Sequence, residues 1–160
     1  MPSLSDPARY SSDAEAAPKQ VEVSVPADGS ALFVSAECAG DVESVAARAR
    51  AELGRRGIAV FTEFDHAAGA RQAGLALRDE LVLVFGSPEV GTPLMALAPE
   101  LGIELPLRLL IWDSGSGTRA GYVDPIAWTR RWPQLTEHPS LVAMRALLSS
   151  LLGATAAGDR

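Results

Sequence analysis

The sequence predicts an α+β domain with a mainly antiparallel sheet. Three observations carry that expectation. Short apolar runs bounded by glycine and proline alternate with helical stripes, several strand pairs are joined by hairpin-type turns, and long helical stripes stand towards both ends.

Each element follows in order. Residues 1–19 hold prolines, serines and charges without apolar periodicity and are expected to be a disordered tail, because they bury too little to offset ordering. Val21, Val23 and Val25 alternate with polar neighbours as a half-buried strand, and Pro26-Ala27-Asp28-Gly29 supplies turn chemistry. Ala31–Ala36 returns as a second strand. Asp41 is placed to cap a helix whose apolar face is Val42, Val45, Ala46, Ala49 and Leu53, with Gly57 closing it. Ile58, Val60 and Phe64 alternate with Ala59, Phe61 and Glu63; apolar side chains on both faces place this strand inside the sheet.

Ala67–Leu77 reads as a short helix weakened by Gly69 and Gly74. Leu81–Phe85 is a continuous apolar run, a central strand. Thr92-Pro93 reads as a helix start, with Leu94, Met95, Leu97 and Ala98 filling the helix before Pro99. Leu107–Trp112 and Thr118–Val123 form a hairpin across Ser114-Gly115-Ser116-Gly117. Asp124-Pro125 opens a helix that Pro133 ends. The last helix starts near Ser140, carries a Leu141, Met144, Leu147, Leu148, Leu151, Leu152 stripe and stops at Gly153. The domain therefore covers residues 20–153, and residues 154–160 are expected to fray.

Composition narrows the function classes. A length of 160 residues suits one domain, 48% hydrophobic residues can fill its core, and a net charge of −6 argues against binding a phosphate backbone. One cysteine, Cys38, excludes an intramolecular disulfide and a paired-cysteine metal motif. The expectation is no metal, no cofactor, no nucleic acid and no membrane partner. The first residues lack a basic start and an apolar stretch, and a cytoplasmic location is the default.

The middle of the chain resembles a known family. Phe61-x-x-Phe64-Asp65-His66-Ala67-Ala68-Gly69-Ala70 is followed by Leu83-Val84-Phe85-Gly86-Ser87-Pro88-Glu89-Val90-Gly91-Thr92-Pro93-Leu94-Met95. Leu105-Pro106-Leu107-Arg108, Ile111-Trp112-Asp113 and Gly121-Tyr122-Val123-Asp124-Pro125 complete the series. Together they resemble the domain-of-unknown-function 302 family (DUF302, TT1751-like), from about Val42 to Arg131. The sequence departs at Ser87, where asparagine is common, and at Phe64, where an aliphatic residue is usual. The resemblance implies a TATA-binding-protein-like fold, a curved sheet with helices on one face, and often a homodimer. It implies no reaction and no DNA binding, since function resides in a site and not in a fold.

Three groups of residues are candidates for chemistry. Asp65 and His66 lie where a strand meets a helix: Asp65 as a cap or ligand contact, His66 as a general acid or base or as a hydrogen-bonded structural histidine. The Gly86–Thr92 segment, with Ser87 and Thr92, can present backbone N–H groups to an anion or serve as a tight turn; it lacks the lysine of a phosphate loop. Met95, Trp112 and Tyr122 can line an apolar pocket or pack the core, with Trp112 and Tyr122 expected near each other across the hairpin. The leading expectation is a homodimeric small-molecule-binding protein whose ligand lies between the His66 and Ser87 loops. An enzyme using His66 and a ligand-free interaction module are the alternatives.

Overall fold

The computed structural model describes residues 21–24 and 32–158. The tail expected over residues 1–19 and the turn expected at 26–29 lie outside them. The described residues form six strands: β1 (Val21–Ser24), β2 (Phe33–Cys38), β3 (Ala59–Asp65), β4 (Glu80–Gly86), β5 (Leu107–Asp113) and β6 (Thr118–Val123). Four α-helices accompany them: α1 (Val42–Arg55), α2 (His66–Gln72), α3 (Pro88–Leu97) and α4 (Pro139–Ala156). The strands make one sheet in the order β1-β2-β6-β5-β4-β3, every neighbouring pair antiparallel. This is the expected α+β architecture.

The sheet has two unlike faces. Val34, Ala36, Leu81, Leu83, Phe85, Leu107, Leu109, Ile111, Ala120 and Tyr122 join one buried cluster with the apolar sides of α1 and α4. Alternate residues point away from it, and the other face, helix-free among the described residues, carries Phe33, Ser35, Val82, Val84, Leu110, Trp112 and Gly121. Asp41 caps α1, its carboxylate accepting from the Ser44 N–H at 2.8 Å, and Gly57 leaves the helix at φ 65°.

Three expectations are corrected. β3 is an edge strand, not an inner one. Its register slips between Val60 and Thr62, a bulge that spoils the period of two. Ile58 is buried and Val60 packs on the core, whereas Phe64 emerges on the other face, so apolar side chains on both faces reflect a bulge and not burial from both sides. The third helix starts at Ser87-Pro88 and encloses Pro93; Ser87 and not Thr92 is at its cap, because Pro88 already supplies the fixed φ of a first helical position.

The last helix runs through Gly153 to Ala156. Thr155 is fully buried, and its carbonyl accepts from Arg48 at 3.0 Å. A glycine costs about 1 kcal/mol in a helix, and the packing of Ala156 on the core with this arginine contact offsets it. The fray expected from residue 154 is absent up to Ala156. By length and composition α4 could cross a membrane, with a mean hydropathy of 1.3 over 18 residues. Here its leucine stripe is the centre of the core.

Candidate functional site

A cavity of about 260 Å³ opens at the end of the sheet where β4 gives way to α3. Its wall is drawn from Phe61 of β3, Gly86, the α3 residues Pro88, Val90, Gly91, Thr92 and Met95, and Ser87 before them. Gly102, Leu105, Pro106 and Leu107 close a second side, and Met144 of α4 forms the floor. None of these thirteen residues is charged. The hydroxyls of Ser87 and Thr92 are the only polar side-chain groups among them.

Missing side chains create the space. A Cβ on Gly91 would stand 3.3 Å from Leu105 Cδ1, one on Gly102 3.7 Å from Met95 Sδ, and one on Gly86 3.7 Å from Phe61 Cε2. Any larger residue at these positions would grow into the hollow or push its walls. Two methionines add adaptability, since a thioether on three rotatable bonds fills irregular gaps. The Ser87 hydroxyl donates to the Glu89 carboxylate, which leaves the Ser87 oxygen free to accept.

Of the residues expected to bind a ligand, the structure brings together Ser87, Thr92 and Met95. Asp65 and His66 stand elsewhere. β3 and β4 run antiparallel with Ala59 opposite Gly86 and Asp65 opposite Leu81. The strand pair therefore sets Asp65 and Gly86 roughly 17 Å apart at about 3.4 Å per residue, and His66 and Ser87 lie one residue further out at the opposite ends. The common hollow expected between those two loops does not form. Asp65 caps α2, accepting from the Ala68 N–H at 2.7 Å, and His66 is exposed in its first turn.

Trp112 and Tyr122 are also separated. Trp112 is paired with Arg119, and Tyr122 lies three residues further along β6 on the other face. The Trp112 ring meets Phe33 at 5.9 Å on the helix-free side. Tyr122 is 6% exposed in the core, and burial, followed by the nearby Asp124 carboxylate, pushes its hydroxyl up to about 12. Burial likewise raises the Cys38 thiol, which makes it a poor nucleophile. Among the described residues no group of three His, Cys, Asp or Glu is placed to hold a metal.

Sequence reasoning missed Phe61, Gly102, Leu105 and Met144 as cavity residues. Phe61 looked like a strand residue because the bulge is invisible in the period. Met144 looked like one more member of a core stripe, which it also is, at 3% exposed.

Comparison with known proteins follows the same lines. The model of a family described as "Domain of unknown function DUF302" matches residues 34–154. A curated relative from Brucella suis biovar 1, named "Fluoride-specific ion channel FluC 1", is 39% identical over 120 residues, which are 74% of this chain and 45% of that protein. A relative of the same name from Brucella abortus biovar 1 is 39% identical over 120 residues, 43% of its length. This chain thus spans less than half the length of the curated relatives it matches. The crystal structure of an uncharacterized conserved DUF302 protein from Bacillus stearothermophilus superposes with a TM-score of 0.70 at 17% identity, covering 77% of this chain and 97% of that one.

Proposed function

The chain belongs to the DUF302 family, whose description names no reaction, and we propose that it binds a small, neutral, apolar molecule in the cavity beside α3. The uncharged wall carries this reading. An ion taken into that hollow would lose its hydration and meet no counter-charge among the lining side chains. A neutral molecule gains from apolar burial and needs one or two hydrogen bonds to fix its orientation. At about 260 Å³ the space falls just below the roughly 300–1,000 Å³ of pockets for drug-sized ligands, which favours a small guest.

Thermal-shift and calorimetric screening with small neutral alcohols, both alkyl and aryl, tests the proposal. Binding should raise the melting temperature and carry a negative heat-capacity change. Gly102→Leu, which grows into the hollow, should abolish it. No binding by any member of the panel would end the reading. The acid–base alternative lacks a geometric basis, because His66 faces solvent away from the cavity. Homodimerisation is part of the same proposal. The helix-free sheet face, with Phe64 55% exposed at its edge, is the surface a twofold partner would cover, and native mass spectrometry reads the subunit number.

The curated relatives favour a second reading, in which this domain accompanies a transport protein. The matched segment is under half of those relatives, and an apolar cavity is unsuited to fluoride. Channel activity would then reside in the unmatched part. Deleting the matched part from the Brucella suis relative should leave fluoride efflux from liposomes intact; loss of efflux would refute this division.

A further inference from the structure

Phe61 stands in an unusual position for a large apolar residue. It lies at the bulge of an edge strand, is 52% exposed, and still forms part of the cavity wall. Bulges re-aim a side chain out of the alternation of a strand. Here the slip falls between Val60 and Thr62, and the phenyl ring between them lines the hollow while half its surface stays open to solvent. Beneath it Gly86 has no side chain, so the ring edge lies 3.7 Å from where a Cβ would be.

Other wall residues suit an aromatic guest. Met95 and Met144 contribute thioethers, groups that make favourable contacts with aromatic rings at about 5 Å. Ser87, whose proton is committed to Glu89, offers a lone pair to a donor on the guest.

Building on the cavity reading, we propose that the guest is a planar aromatic molecule bearing a hydroxyl or N–H donor. Phe61 is its specificity-determining residue: the guest's ring packs against the phenyl at the mouth and against the two thioethers within. Saturated molecules of equal volume fill the same space and lose the ring contacts. Aromatic pairs contribute beyond their buried area, which corresponds to a preference of roughly three- to tenfold.

The test compares 2-naphthol with its saturated counterpart decahydro-2-naphthol by calorimetry on the wild-type chain. The naphthol should bind roughly three- to tenfold more tightly. Phe61→Leu should reduce the preference to the smaller part that the two thioethers supply, and Phe61→Tyr should keep it whole. Equal affinities in the wild type overturn the aromatic assignment and leave the cavity reading standing. A preference undiminished in Phe61→Leu overturns the role of Phe61. Failure of both compounds to bind overturns the cavity reading and this inference with it. The wild-type comparison needs no variant, and the melting temperature of each variant reports its folding separately.

Discussion

Arg50 on α1 grips Glu63 on the edge strand β3 with two hydrogen bonds, 2.6 Å from Nε and 2.8 Å from Nη2, while its third nitrogen reaches Glu43 at 2.8 Å. The strand that carries Phe61 is thus tied to a core helix as well as to β4. Both side chains of the pair are about one third exposed, so solvent screening keeps the gain small, about 1 kcal/mol or less. The guanidinium holds the Glu63 carboxyl below its ordinary value of 4.5. A depressed folded-state value means that the contribution is full above about pH 4.5 and is lost as the pH falls through the lower value. Urea unfolding of Arg50→Met should show a deficit at pH 7 that shrinks towards pH 3. A deficit independent of pH would assign the effect to packing alone.

Glu52 is the charged residue most deeply placed in the described chain, 5% exposed, with Arg56 Nε 2.6 Å away and Arg55 also in contact. Arg56 reaches on to Ser150 and so joins α1 to α4. Removing one partner leaves a buried carboxylate poorly compensated, which costs about 3–5 kcal/mol when no other cation remains. Arg55 remains, so Arg56→Met should destabilise by about 2 kcal/mol in denaturant unfolding. The double change Glu52→Leu with Arg56→Met should restore stability to within about 1 kcal/mol of the wild type. Equal losses in the single and double variants would contradict this account.

Gly121 is where the helix-free face has no room. A Cβ there would lie 2.7 Å from Phe33 Cζ and 2.8 Å from the Val34 carbonyl oxygen. Phe33 lies over this glycine and meets Trp112. Gly121→Ala should therefore cost about 1–3 kcal/mol, the usual penalty of overpacking. Adding Phe33→Ala should recover part of the loss but not all, since the backbone oxygen cannot withdraw. A Gly121→Ala protein with unchanged melting temperature would show that both the Phe33 ring and the β2 backbone yield without cost.

Much of this was legible in the residues. Asp41 and the stripe from Val42 to Leu53 give α1 to within a residue, because cap and period agree. The Ser114–Gly117 turn gives the β5–β6 hairpin for the same reason. The cavity was half legible: Ser87, Thr92 and Met95 were named, yet the partners on its far side come from distant elements that only the packing of α4 and the sheet brings there. His66 and Ser87 looked like neighbours because each ends a strand. Antiparallel pairing sends consecutive strand ends to opposite poles, and the same alternation divides Trp112 from Tyr122. One inserted residue at Phe61 then inverted the reading of β3.

Tyr122 offers a check on the core. Its hydroxyl is paired with Ser149 beneath the bidentate Asp124–Arg145 contact, whose two distances are 2.7 and 3.0 Å. With the folded value raised from 10 to about 12, its share of stability is full below about pH 10 and is lost as the pH rises through 12. Absorbance titration should contain a tyrosine component near 12 that Tyr122→Phe removes. A Tyr122→Phe variant that keeps such a component would place the hydroxyl in solvent.

His66 gives the sharpest separation between the two ends of the sheet. It is exposed in the first turn of α2, and Asp65 alone caps that helix through Ala68. The cap hydrogen bond belongs to Asp65, and substituting an exposed side chain beside it changes stability by about 0.5 kcal/mol or less. His66→Asn should leave both the melting temperature and 2-naphthol affinity at wild-type levels, while Gly102→Leu removes the binding. Loss of affinity in His66→Asn with the fold intact would mean that the guest is held at the other pole, and that the hollow beside α3 is a packing defect and not a site.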